Sequence, residues 1–159
     1  MESMTPAKTS AAYRETSKAI TPMSDRILVV DDEQSILFAM RDYFMAHGYE
    51  VDCARELDDV RALLSNVTYS VVIADLRLTG LHGTEGLEIV EHVRNHCPWT
   101  SVIILTAYGV PEIEREAIRL GVDAFLRKPK PLSQIAQIVF GLIANKPKPF
   151  EERAAPPRS

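Results

Sequence analysis

At 159 residues the chain can bury one domain-sized core and is too short for two ordinary domains. A hydrophobic share of 46% beside 25% charged residues excludes a fully disordered or fibrous chain. A formal net charge of −4 and a pI near 5.6, with no Lys/Arg cluster, leave no electrostatic footprint for nucleic acid.

The first stretch, MESMTPAKTSAAYRETSKAITP, has no continuous apolar core and therefore does not read as a secretory signal. Residues 1–25 are expected to form a disordered extension. No apolar run approaches the roughly 20 residues that span a bilayer. Cys53 and Cys97 are expected as free thiols in a reducing compartment, which places the chain in the cytoplasm.

From Arg26 onward short apolar runs alternate with amphipathic stretches. Ile27-Leu28-Val29-Val30 reads as a parallel strand covered on both faces. Ile36, Leu37, Met40, Tyr43 and Phe44 then recur at helical spacing, and His47-Gly48 supplies the stop. Tyr49 to Cys53 is a weaker strand, followed by a helix carrying Leu57, Val60, Leu63 and Leu64. Ser70 to Ala74 is the third strand; beyond a Gly-rich loop comes a helix with Leu87, Val90 and Val93 inward. Ser101 to Leu105 is the fourth strand, and the helix around Ile113, Ala117 and Leu120 closes at Gly121. Ala124-Phe125-Leu126 is the fifth strand, and a last helix places Ile135, Ile138, Val139, Leu142 and Ile143 on one side. The remaining residues, 145–159, form a Pro-rich segment expected to be disordered. Five strand-then-helix units imply an α/β fold, a doubly wound five-stranded parallel sheet, over 26–144.

In such a sheet the site lies beyond the carboxyl ends of the strands. Polar residues stand where the apolar runs stop: Asp31 and Asp32 after the first, Asp75 after the third, Thr106 after the fourth, Lys128 after the fifth. Each alone is an ordinary helix cap, turn residue or solvated charge. Together they form a complementary set. Three converging carboxylates repel one another unless a cation intervenes, and an all-oxygen set suits Mg2+. Lys128 offers a point charge for an anion and Thr106 a hydroxyl donor. Such groups can bind a phosphoryl group and stabilise its transfer to a carboxylate.

The blocks VVDDE, VVIADLRL, ILTAYG and FLRKP, in that order, resemble the receiver domain of two-component response regulators. The resemblance covers about Arg26 to Ile143 and implies the flavodoxin-like (βα)5 receiver fold of a single-domain signalling switch. It implies Asp75 as phosphoacceptor, with Asp31, Asp32, Asp75 and the Arg77 carbonyl around Mg2+. Thr106 and Lys128 would hold the phosphoryl oxygens, and Pro129 stands where the family commonly has a cis peptide. The phosphodonor implied is a phosphohistidine of a histidine kinase or phosphotransfer protein. Thr106 and Phe125 would then switch the surface of the fourth helix, fifth strand and fifth helix toward an unidentified protein target. Phe125 on its own residues reads equally well as plain core.

The chain departs from the family after Asp75, where LRLTGLHGTEGLEIV has Thr79 in place of the usual proline and runs about three residues longer than usual by eye. Arg77 and Tyr108 flank the site at positions that influence phosphoryl loss in the family. His92, His96 and Cys97 have metal-compatible spacing, but with Glu85 and Glu88 the histidines fall on the stripe opposite the apolar face, expected to be solvated. Apart from the switch, which is no enzyme, two readings remain: a Mg2+-dependent phosphohydrolase with an aspartate nucleophile, and a phosphorylation-independent scaffold. Hydrolases of that kind carry D-x-D after the first strand, where this chain has Asp31-Asp32-Glu33. No nucleic-acid or membrane contact is expected, no residues remain for an output domain, and the last helix offers a homodimer face.

Overall fold

The computed structural model describes residues 25–78 and 83–145. In chain order the elements are β1 (Arg26–Val30), α1 (Gln34–Ala46), β2 (Glu50–Ala54), α2 (Leu57–Asn66) and β3 (Val71–Ala74). There follow α3 (Glu85–His96), β4 (Ser101–Thr106), α4 (Pro111–Leu120), β5 (Ala124–Arg127) and α5 (Leu132–Asn145). The five strands pair in parallel in the order β2-β1-β3-β4-β5. The alternation expected from the sequence is the architecture observed. The tails expected over 1–25 and 145–159 fall, apart from Asp25 and Asn145, outside the described residues, as do Thr79 to His82 of the lengthened loop.

Strand side chains alternate between faces because the pleat has a period of two. Leu28, Val30, Val72, Ala74, Val102 and Ile104 pack toward α2 and α3, where Val60, Leu64, Ile89, Val90 and Val93 close one core. Ile27, Val29, Ile73, Ile103 and Leu105 face the other way, against Leu37, Met40 and Phe44 of α1 and Ile135 and Val139 of α5. Burial on both faces is why these strands are continuous apolar runs. No described helix is long and apolar enough to cross a membrane.

On α3, Val90 and Val93 are fully buried as expected, Leu87 is half-buried against the same core, and Ile89 is fully buried beside them. Glu85, expected on the solvated stripe, is buried at 5% exposure. The cause is the position of the first turn of α3, which lies against the chain leaving β3. A Cβ on Gly86 would come within 2.8 Å of the Asp75 carbonyl oxygen and of Leu76 Cα. Only glycine permits that approach, and the Gly86 N–H donates to the Leu76 carbonyl at 2.9 Å. Residues at the start of α3 thus meet backbone where a free helix would meet water.

The register sets the site. β1 and β3 are neighbours with Val30 opposite Ala74, so the residues one step beyond, Asp31 and Asp75, emerge side by side. The change in strand order falls here, since β1 is followed by β2 on one side and β3 on the other. A crevice opens at such a point.

Candidate functional site

Asp31 continues β1 by donating its N–H to the Ala54 carbonyl at 3.1 Å, and Asp75 continues β3 by donating to the Val30 carbonyl at 3.0 Å. The Lys128 N–H donates to the Thr106 carbonyl at 2.9 Å, which ties the end of β5 to the end of β4. Backbone bonds therefore bring all four strand ends to one edge. Asp31 is 3% exposed and Asp75 7%, and Asp32 is half-buried. One carboxylate oxygen from each of the three lies within 4.8 Å of the others.

Like charges at about 4 Å repel by about 4 kcal/mol at an effective dielectric near 20, so the cluster needs a counter-charge. Lys128 supplies one. Its Nζ donates to Asp31 Oδ2 at 2.8 Å and to Asp75 Oδ2 at 3.2 Å. Burial pulls the ammonium down, but the Asp31 hydrogen bond and the charges of Asp75 and Asp31 outweigh it, leaving the Lys128 pKa above its ordinary 10.5. Three carboxylates less one ammonium leave two negative charges when all are ionised. Hard, clustered oxygens with a net double negative charge fit a divalent cation of the Mg2+ or Ca2+ kind.

The remaining oxygens have local donors. Asp31 Oδ1 accepts the Glu33 N–H at 2.9 Å and Asp75 Oδ1 the Arg77 N–H at 3.3 Å. Thr106 is fully buried, and its hydroxyl oxygen accepts the Tyr108 N–H at 3.1 Å. That bond does not use the hydroxyl proton. The Lys128–Pro129 peptide is cis. Phe125 is half-buried and packs against the core that faces α2 and α3. Arg77 is exposed, with its guanidinium 4.2 Å above the Tyr108 ring, a cation–π contact between the segments that follow β3 and β4.

The structure does not join the histidine pair to this site. His92 is half-buried and His96 exposed; their rings stack at 4.3 Å, and they gather no third ligand among the described residues. Cys53 and Cys97 are free thiols whose pKa values burial raises.

Two participants carry no sequence signal. Arg55 donates to the Asp32 carbonyl at 3.0 Å. Glu85 Oε1 accepts the Leu78 N–H at 3.2 Å, while Oε2 is buried and has no hydrogen-bond partner among the described residues. An unsatisfied buried acceptor costs about 1–3 kcal/mol, and more when charged. A helix N-terminus returns only about 1 kcal/mol to an acid in its first turn. The described residues therefore satisfy the Glu85 carboxylate only in part.

A doubly wound sheet with an acid cluster and a lysine at its switch point defines a class of phosphate-handling switch domains. The family model for the response regulator receiver domain matches residues 27–140, and the chain belongs to that family of two-component signalling proteins. Regulatory protein AtoC of Escherichia coli (strain K12) is 31% identical over 115 residues, 72% of this chain and 24% of that protein. Photosynthetic apparatus regulatory protein RegA of Rhodobacter capsulatus is 28% identical over 129 residues, 80% of this chain and 68% of that one. The chain spans about a quarter of the length of AtoC. A CheY-like receiver domain protein from Methanospirillum hungatei JF-1 superposes with a TM-score of 0.72 at 23% identity, over 84% of this chain and 100% of that one. At that identity the likeness speaks for the fold alone.

Replacing Lys128 by Met should remove about 3–5 kcal/mol of stability at neutral pH, because it leaves two buried carboxylates uncompensated. A raised lysine pKa means the folded state favours the charged amine. Its contribution is complete below pH 10.5 and disappears as pH rises through the higher folded value. Urea unfolding of both proteins from pH 8 upward checks this: the gap should hold to about pH 10 and close above it.

Proposed function

We propose that this chain accepts a phosphoryl group from a phosphohistidine on the Asp75 carboxylate and thereby switches a protein-binding surface. The observation that carries the reading is the single Lys128 Nζ bonded to both Asp31 and Asp75. An ammonium held at the acceptor is a ready partner for the oxygens of an arriving phosphoryl group.

Asp75 sits at the crevice with Oδ1 and Oδ2 held by Arg77 N–H and Lys128 Nζ. In the transfer an Asp75 oxygen forms the new bond to phosphorus as the phosphorus–nitrogen bond of the donor histidine breaks. The bonding pair leaves with the imidazole. Lys128 remains beside the product, and the Thr106 hydroxyl proton is free to donate to a phosphoryl oxygen. Asp31, Asp32 and Asp75, with the Arg77 carbonyl, would hold Mg2+, which when bound neutralises charge on the transferring group.

The switch reading is supported by contact between the β4–α4 loop and β5. A Cβ on Gly109 would fall 2.8 Å from the Phe125 ring, so the loop backbone packs closely against that ring. Arg127 also bonds the Gly109 carbonyl, and its other nitrogen pairs with Glu114 Oε1 at 3.0 Å. A shift of Thr106 toward phosphate would pull on this loop through the Tyr108 N–H and turn Phe125 inward. The surface of α4, β5 and α5 would change with it. On this reading residues 26–144 form the receiver, a histidine kinase or phosphotransfer protein is the donor, and the output is a protein contact. The chain would act in the cytoplasm without nucleic-acid or membrane contact of its own, and α5 could supply a homodimer face.

Wild type with acetyl phosphate and Mg2+ should take up about one phosphoryl group per chain, and Asp75→Asn none. Labelling of Asp75→Asn at the wild-type level would overturn the assignment, and sustained turnover of p-nitrophenyl phosphate would favour a hydrolase. Arg77, two residues past the acceptor, stacks on Tyr108, and on this reading the pair would shield the acyl phosphate from water. The double variant Arg77→Ala, Tyr108→Ala should therefore shorten the phosphoryl lifetime by about tenfold, equivalent to about 1.4 kcal/mol of barrier; an unchanged decay of label would refute the shielding.

A further inference from the structure

Glu85 poses a problem that the pocket answers. Its carboxylate is 5% exposed, accepts one amide N–H at 3.2 Å on Oε1, and among the described residues has no partner for Oε2. Glutamine would accept the same Leu78 N–H without burying a charge, so folding alone gives no reason for an acid here. Thr84, which precedes it, makes no side-chain cap bond.

Its placement gives the reason. Glu85 is bonded to the backbone three residues past Asp75. The next residue, Gly86, packs against the Asp75 carbonyl and bonds to Leu76. The carboxylate thus anchors the segment that carries Arg77, whose carbonyl is a proposed cation ligand, and a buried charge beside that segment is screened less than one at the surface.

We infer that Glu85 is a positioning residue for the acidic pocket: it fixes the 76–78 backbone and adds a negative charge that strengthens divalent cation binding at the expense of stability. The inference rests on the cation-binding reading given above. Glu85 itself is not a ligand, since among the described residues the carboxylates that cluster closely enough are Asp31, Asp32 and Asp75.

Thermal melts of the full chain across a series from EDTA to excess MgCl2 test it, because a ligand bound only by the folded state raises the melting temperature with the logarithm of one plus the ratio of ligand concentration to Kd. In EDTA, Glu85→Gln should melt above wild type, while its apparent Mg2+ affinity should fall by about threefold or more. Glu85→Ala should lose the anchor as well and bind Mg2+ more weakly than Glu85→Gln. Glu88→Gln, which alters an exposed-side carboxylate paired with Arg61 at 3.4 Å, should keep wild-type Mg2+ affinity. Either a cation-free melting temperature for Glu85→Gln at or below wild type or an unchanged Mg2+ affinity overturns the inference. Asp32→Asn separates the two levels of the argument. A wild-type response that Asp32→Asn abolishes and Glu85→Gln leaves intact defeats the role of Glu85 alone, whereas no Mg2+ response in wild type defeats the cation reading and this inference with it.

Discussion

The Lys128 ammonium lies 2.8 Å from Asp31 Oδ2 and 3.2 Å from Asp75 Oδ2, and it joins residues that the chain separates by 97 and 53 positions. Two carboxylates this deeply buried would oppose folding without it. The contact can form only if β1, β3 and β5 lie in one parallel sheet with their carboxyl ends level. The strand order β2-β1-β3-β4-β5 and the Val30–Ala74 and Thr106–Arg127 registers provide that arrangement. Fold and site are therefore a single constraint.

The balance is deliberately incomplete in physical terms. One ammonium against three carboxylates leaves the pocket attractive to a further cation and receptive to an anion once that cation is present. On the inference drawn above, Glu85 would add to the same imbalance, and the buried Thr106 hydroxyl accepts the Tyr108 N–H without using its own proton. Sites that must bind charge transiently tend to keep groups that a stability-optimised core would exclude.

The fold was legible because strands buried on both faces must be apolar, so β1, β3 and β4 stand out against their amphipathic neighbours, while the half-buried edge strands β2 (EVDCA) and β5 (AFLR) follow from the strand–helix alternation. The gathering of Asp31, Asp32, Asp75, Thr106 and Lys128 at one edge was legible for a related reason: a polar residue directly after such a run has one place to go. Glu85 was not legible. Helical periodicity assigns it to the solvated stripe of α3, and only the close approach of Gly86 to the β3 exit turns that first turn inward. The stacking of Arg77 on Tyr108 likewise depends on how two loops meet, and no spacing rule encodes that. Leu87, Val90 and Val93 lie on the inward side of α3 as expected, Leu87 half-buried, and Ile89 joins them fully buried.

Asp75 as the acceptor is the claim on which the remainder of the functional account depends. Mapping the modified residue in wild-type protein is its most direct test: phosphorylation with acetyl phosphate and Mg2+, reductive trapping of the acyl phosphate with borohydride, and peptide mass analysis. The account predicts a single reduced site at Asp75. Modification at Asp31 or Asp32 instead, or none at any carboxylate under conditions where the chain is folded and Mg2+ is present, would contradict it.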